Sequence, residues 1–328
     1  MYAKIRNIFT SMKGLEWPKY GEQESKAVNR VIRSGQIFAG EEVKAFEAEY
    51  SSYVGAKYAV AVGNATQGLH LALASLGVGV GDEVIVTAYS WISTASCIVM
   101  QNAVPIFCDI EDQSLGIDPN KIENLITPRT KCLLLTHVFG YPSDIIRIKD
   151  ICKRNSIYII EDNSHAHGAK VNGIFTGTFG DVSVGSLHQR KTISAGDGGI
   201  IVTNNSEIKG KIYRQRSFGD KELSYNYRMT EFSAALARVG LSKLEQETKK
   251  RIEYVNILTD IIESSEHLQV VKPRQNERAV YYALLIKVKN GTRRIDPRKI
   301  VYCDERMGVL RRTWEPLYNH PHFANETS

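Results

Sequence analysis

Residues 57–77, KYAVAVGNATQGLHLALASLG, decide how the rest of the chain is read. KYAVAV (57–62) is an apolar run of strand length, GNATQG (63–68) is a turn of small residues, and LHLALASLG (69–77) has a helix pattern. The same alternation recurs on both sides of the next turn. EVIVTAY (83–89) reads as a strand, ISTASCIVMQNA (92–103) as a helix and VPIFCDI (104–110) as a strand. KCLLLTHV (131–138) and IYIIED (157–162) are two more strands, separated by a helix around Ile145–Arg154, and DVSVGSL (181–187) and GGIIVTN (198–204) extend the set. Short apolar strands alternating with helices predict an α/β fold with a mainly parallel sheet covered on both faces.

From Thr230 the pattern becomes one long helix, TEFSAALARVGLSKLEQETKKRIEYVNILTDIIESS, leading to a strand VYYALLIKV (280–288). We therefore expect an arm over 1–20, a large domain over 21–240 and a small carboxyl-terminal domain over 241–328, a division that suits 328 residues. Apolar residues make up 43% and charged residues 24%, an ordinary composition for a soluble globular protein. No apolar run approaches the roughly 18 residues that span a bilayer, and the amino end lacks the pattern of a signal peptide. Cys97, Cys108, Cys132, Cys152 and Cys303 lie far apart without a CxxC pair, which argues against zinc and for reduced thiols in the cytoplasm. The net charge of +6 is concentrated late, at Arg293, Arg294, Arg298, Lys299, Arg311 and Arg312. Such a cluster either favours an anionic substrate or is a solvated surface, and the second reading is preferred. No nucleic-acid motif accompanies it.

Four features fall at predicted strand ends, where sheets of this kind place their ligands. GNATQG opens a helix with free N–H groups and a Thr hydroxyl, a setting for phosphate or simply a tight connection with a helix cap. Glu161-Asp162 closes a strand, where a carboxylate either partners a cofactor ring nitrogen or caps the next segment. Lys191 follows SLHQR and precedes GDGG, a setting in which burial can turn an amine into a nucleophile, although most lysines are surface charges. Tyr225-Asn226-Tyr227-Arg228-Met229 opens the long helix, and within it Arg228 has the i, i+3 spacing to pair with Glu231.

In order and spacing these blocks resemble the DegT/DnrJ/EryC1/StrS family of pyridoxal-phosphate (PLP) dependent sugar aminotransferases. The likeness runs from Glu24 to about Phe323 and includes SGQIFAGEEVKAFEAEY (34–50), GNATQGLHLAL, GVGDEVIVTAYSWISTA (79–95), EDNSHAHGA, SLHQRK and NYRMTEFSAALA. It implies the aspartate-aminotransferase-like fold of PLP enzymes, fold type I. Lys191 then matches the lysine that carries the cofactor and shuttles the proton, and Asp162 the partner of the pyridinium nitrogen. His165 matches a residue near the phenolic oxygen, Trp91 an aromatic stacked on the ring, and Ala65, Thr66 and Ser186 phosphate ligands. Asn226 and Arg228 match the element that reaches the neighbouring subunit's phosphate, so the resemblance implies a homodimer with shared sites. His188 matches a position to which no role is given, and no metal is implied.

The resemblance further implies amino transfer from glutamate or glutamine to a keto-sugar, most naturally nucleotide-linked, for a surface polysaccharide or natural product. Two departures bear on the substrate. Family members run longer and close with another helix, and they often carry a His in the segment that here reads Pro316-Leu317-Tyr318. A dehydratase branch of the same fold has a His at the lysine position, which Lys191 speaks against. A non-catalytic paralogue acting as a binding partner is the rival from another class.

Overall fold

The computed structural model describes residues 20–218, 223–289 and 315–324. Two helices come first, α1 (Glu22–Ser34) and α2 (Glu41–Val54). Their ends are fixed by local chemistry. The Glu24 carboxylate accepts from the Gly21 N–H at 2.9 Å, and Gly35 ends α1 with φ +67°, a left-handed turn that glycine enters without strain. At the start of α2 the N–H groups of Gly40, Glu42 and Val43 donate to the Glu231 carboxylate at 2.8, 2.8 and 3.3 Å. That carboxylate sits on the positive end of a helix dipole. The spacing-based pairing of Glu231 with Arg228 is thus not what forms; backbone donors of another helix hold Glu231 instead.

The alternating region follows as β1 (Tyr58–Val62), α3 (Ala65–Ser75), β2 (Glu83–Thr87), α4 (Ser93–Met100) and β3 (Val104–Cys108). A short turn, α5 (Pro119–Ile122), leads to β4 (Thr130–Thr136), α6 (Ile145–Arg154) and β5 (Tyr158–Asp162). A ribbon of β6 (Lys170–Val171) and β7 (Ile174–Phe175) precedes β8 (Val182–Ser186), β9 (Gly199–Thr203) and α7 (Ser206–Arg216). The seven-stranded sheet has the order β1-β9-β8-β5-β4-β2-β3. Its pairs from β3 to β8 are parallel, and β9 alone runs antiparallel to its two neighbours.

Both faces of this sheet are covered, and successive residues divide between them. Val84 and Val86 join one core with Leu134, Ile160 and Ile201, while Ile85 joins another with Leu133, Leu135 and Ile159. Ala59, Ala61, Ile200 and Val202 face a third core under α2 and the long helix. Period-two alternation with apolar residues on both sides is what makes these strands read as continuous apolar runs. Gly68 lets α3 lie close on the sheet: a Cβ there would meet the Val184 side chain at 2.7 Å.

The long helix α8 (Glu231–Glu263) leads to β10 (Leu268–Val270), β11 (Glu277–Arg278) and β12 (Ile286–Val288), and α9 (Pro321–Ala324) lies near the end. β10 pairs with β12, whereas β11 pairs with β6. The expected strand over 280–288 is therefore shortened to Ile286–Val288. Upstream, Tyr281 adopts φ +50°, and the N–H groups of Val280 and Ala283 donate to the carbonyls of Gly140 and Phe139 at 3.0 and 3.3 Å. These bonds spend the segment on the main sheet's rim rather than on a ladder. Among the described residues no helix is long and apolar enough to cross a membrane. The basic run from Arg293 to Arg312, Cys303 and residues 1–19 of the expected arm lie outside the described residues.

Candidate active site

The carboxyl ends of β4, β5 and β8 lie side by side, with Thr136 opposite Asp162 and Asp162 opposite Val184. Asp162 is buried, and its carboxylate accepts from Thr94 Oγ1 at 3.0 Å and from the Ser164 N–H at 3.1 Å. Behind Thr94 stands a chain of hydroxyls, Ser90 Oγ at 2.8 Å from Thr94 and Thr136 Oγ1 at 3.0 Å from Ser90. Since Thr94 gives its proton to the carboxylate, Ser90 donates to Thr94 and Thr136 to Ser90. Each dipole in the chain then points at Asp162.

The neighbouring Glu161 faces the opposite side of β5. It accepts from Gly177, Phe179 and Gly180 N–H groups at 2.8, 2.8 and 2.7 Å, and from His137 Nε2 at 2.9 Å. His137 Nδ1 accepts from the Ser143 N–H at 3.0 Å, so the ring's proton is on Nε2. Burial pushes the Glu161 carboxyl up, but the His137 and backbone donors outweigh it and hold it below the usual carboxylate range. Glu161 ties down the loop after β7; it takes no part in the site.

Lys191 lies in a loop after β8 that folds onto itself. The Leu187 and Gln189 N–H groups donate to the carbonyls of Gly198 and Gly196 at 2.9 and 2.8 Å, and the Lys191 N–H donates to His188 O at 2.7 Å. Burial lowers the Lys191 ammonium to about 8, against the opposing pull of the Asp162 charge. Its Nζ stands 4.9 Å from the centroid of the Tyr282 ring. His165 is stacked between Phe139, at 5.9 Å, and Tyr282, at 4.4 Å, with rings parallel to within 6°. Burial, then the charge of Lys191, depresses His165 well below the ordinary histidine range. The Phe139 N–H reaches its Nδ1 at 3.4 Å, leaving the proton of the neutral ring on Nε2. His167 is held at about 4 by burial and donates from Nε2 to Ser186 O at 2.8 Å, so its Nδ1 accepts from the Tyr50 hydroxyl.

The first turn of α3 forms the other wall. Asn64 caps it, its Oδ1 accepting from the Gln67 N–H at 2.9 Å. The N–H groups of Ala65 and Thr66 precede the first intrahelical bonds and remain available to an anion at the positive end of the helix. Thr66 Oγ1 donates to Ser93 Oγ at 2.9 Å, joining the openings of α3 and α4. Gly199 makes room for this turn, since a Cβ there would come within 2.7 Å of Asn64 backbone. Ser186, buried at the end of β8, accepts from the His188 N–H at 3.3 Å.

Three expected residues stand further out. Trp91 is 57% exposed and borders a cleft of about 300 Å³ with Ile92, Pro316, Leu317, His320 and Pro321. Arg228 bridges Val62 through its backbone, but its side chain donates to Asn226 Oδ1 at 3.0 Å and Ser217 Oγ at 3.4 Å. Its guanidinium lies over the rings of Phe38 and Phe218, at 4.3 and 4.9 Å. Sequence reasoning missed Ser90, Thr94, Phe139 and Tyr282. The hydroxyls of STASC (93–97) at a helix start were a signal for Thr94. Nothing in the sequence ties Tyr282 to a lysine ninety residues earlier.

The sequence model of the DegT/DnrJ/EryC1/StrS aminotransferase family matches residues 18–328. A GDP-perosamine synthase of Vibrio cholerae is 34% identical over 249 residues, covering 73% of this chain and 68% of that protein. The crystal structure of an aminotransferase, TlmJ, from Streptoalloteichus hindustanus superposes with a TM-score of 0.87 at 26% identity, over 94% of this chain and 86% of that one. NtdA of Bacillus subtilis, solved with bound pyridoxamine phosphate, gives a TM-score of 0.75 at 26% identity, over 81% of this chain and 63% of that one. A phosphate-sized anion cradle, a buried carboxylate and a partly buried amine of lowered basicity suit such a cofactor. The protein belongs to the DegT/DnrJ/EryC1/StrS aminotransferase family, whose members depend on PLP.

Proposed function

We propose that this aminotransferase moves an amino group from glutamate or glutamine to a nucleotide-linked keto-sugar, supplying an amino sugar for a surface polysaccharide or natural product in the cytoplasm. The observation that carries the reading is the partly buried Lys191 in the loop after β8, its ammonium lowered to about 8 by desolvation against the opposing charge of Asp162 at the end of the parallel strands. When bound, PLP supplies the carbon that carries the amino group and a ring that accepts electron density. Lys191 would take a proton from the carbon next to nitrogen and return it across the C–N unit. Asp162 would hold a proton at the ring nitrogen, and the His165 Nε2–H would donate to the phenolic oxygen. The Ala65 and Thr66 N–H groups, Ser186 and the Thr66 hydroxyl, turned from Ser93, would bind the phosphate. Trp91, exposed beside the cleft of Pro316 and Leu317, would cover the ring, and that cleft would take the sugar.

The relative named for GDP-perosamine synthesis supports a nucleotide-linked acceptor. Lys191 supports transamination over the dehydratase alternative. Incubating the protein with PLP, glutamate and a panel of nucleotide-linked keto-sugars and simple 2-keto acids, read by mass spectrometry, tests this. Amination of a keto-sugar is expected, and preference for the 2-keto acids would refute the substrate class.

The active unit is a homodimer in which Asn226 or Arg228 of one copy reaches the phosphate of the other. In support, the Arg228 guanidinium lies over two exposed rings, Phe38 at 46% and Phe218 at 68% exposure, a grouping suited to cover by a second copy. Mixing inactive Lys191→Ala with an inactive Asn226/Arg228 double variant under subunit exchange should restore activity, because one site of each mixed dimer carries neither lesion. No recovery despite demonstrated exchange would overturn shared sites.

A further inference from the structure

With Lys191 as the residue that carries the cofactor, each round of amino transfer would release it as a free amine in a partly buried site. There it must take a proton and give it back. We propose that Tyr282 is the positioning residue for this released amine: its ring face receives the ammonium and keeps it beside the reacting carbon. The chemical role rests on the proposed function, while the contact itself stands on the structure alone.

The geometry has three parts. Nζ of Lys191 lies 4.9 Å from the Tyr282 ring centroid, within the range where a cation is drawn to the electron-rich face. His165 stacks on Tyr282 at 4.4 Å and 6°, and Phe139 stacks on His165 in turn, so the receiving ring is fixed by a column of parallel rings. The backbone bonds from Val280 to Gly140 and from Ala283 to Phe139 bracket residues 281 and 282 on both sides. Two large aromatic residues in that clasp, Phe139 at φ +53° and Tyr281 at φ +50°, adopt left-handed backbone. Bulky residues enter that region only where their surroundings compel it, and such strain gathers at working sites.

Among the described residues, the charged and titratable groups that interact with the Lys191 charge include Asp162, His165 and His167. Burial, with the field of Lys191 itself, keeps both histidines neutral. Asp162 is left as the countercharge and Tyr282 as the ring that meets the amine. A ring attracts the ammonium without capturing it in a tight ion pair, so the proton can leave again. Loss of the ring face destabilises the charged form and lowers the amine's basicity.

The test uses the full chain in two forms, stripped of cofactor and loaded with pyridoxamine phosphate. The pH dependence of Lys191 acylation by a small amine-selective reagent is read by peptide mass spectrometry. Tyr282→Phe keeps the ring face and should leave the midpoint unchanged. Tyr282→Leu, and pentafluorophenylalanine at position 282, which keeps the shape but reverses the charge of the face, should lower it by about half a unit to one unit. If the leucine variant fails to fold, the fluorinated ring decides. An unchanged midpoint with the fluorinated ring, or a fall in Tyr282→Phe as large as in the others, overturns the proposal. Failure to take up pyridoxamine phosphate, with the stripped chain behaving as expected, would instead overturn the cofactor role and leave the contact standing.

Discussion

Glu161 and Asp162 are adjacent residues of one strand, both buried, both carboxylates, and they belong to different parts of the molecule. The Glu161 side of β5 is saturated: one histidine and three backbone N–H groups converge on two oxygens, and all are internal to the fold. On the Asp162 side a single file of hydroxyls and one N–H meet the carboxylate. The charge of Asp162 also acts on the Lys191 amine. A buried charge whose donors are all structural maintains the fold. One whose charge acts on a partly buried amine of lowered basicity is available for chemistry.

Three substitutions distinguish the two sides of β5. Glu161→Gln should have the largest effect, and on stability: the amide nitrogen turns a donor toward donors, at a cost of about 3–5 kcal/mol in chemical denaturation. The sign of its pH dependence follows from the lowered carboxyl. Glu161 stabilises the fold above its unfolded value of 4.5 and loses this contribution as pH falls through its lower folded value. The gap between wild type and Glu161→Gln should therefore narrow below that pH, and a gap that widens would contradict the assignment. Asp162→Asn should behave the other way, melting close to wild type but slowing the half-reaction with glutamate roughly ten- to hundredfold, as a charge-assisted hydrogen bond is lost. Stopped-flow absorbance measures it, and wild-type rates would show that Asp162 holds no proton at the ring. Thr94→Val should give the smallest change, about 1 kcal/mol or a few-fold in the same half-reaction, because it removes only the last hydroxyl of the chain. A Thr94→Val rate as low as that of Asp162→Asn would mean the hydroxyls contribute more than orientation.

The fold was legible wherever burial on both faces made strands into continuous apolar runs, as at Glu83–Thr87 and Tyr158–Asp162, and α6 falls on Ile145–Arg154 as expected. Reading failed where tertiary partners displaced local pattern. VYYALLIKV is apolar and β-branched enough for a strand, but its first half is held by Gly140 and Phe139, and the left-handed turn at Tyr281 leaves no mark in the sequence. Arg228 and Glu231 have helix spacing, yet Glu231 answers three N–H groups nearly two hundred residues earlier. At the site, the order of motifs singled out Thr66, Asp162, His165, Ser186 and Lys191, which the fold gathers at one end of the sheet. Tyr282 and Phe139 depend on where the segment after α8 returns, and only the structure gives that.

The role proposed for Lys191 is to carry PLP. Loading the full chain with PLP, reducing it with borohydride and mapping the pyridoxyl adduct by mass spectrometry puts this to the most direct test. The expected result is one adduct per chain, on Lys191; an adduct on another lysine, or none in a folded chain shown to hold PLP, would contradict it.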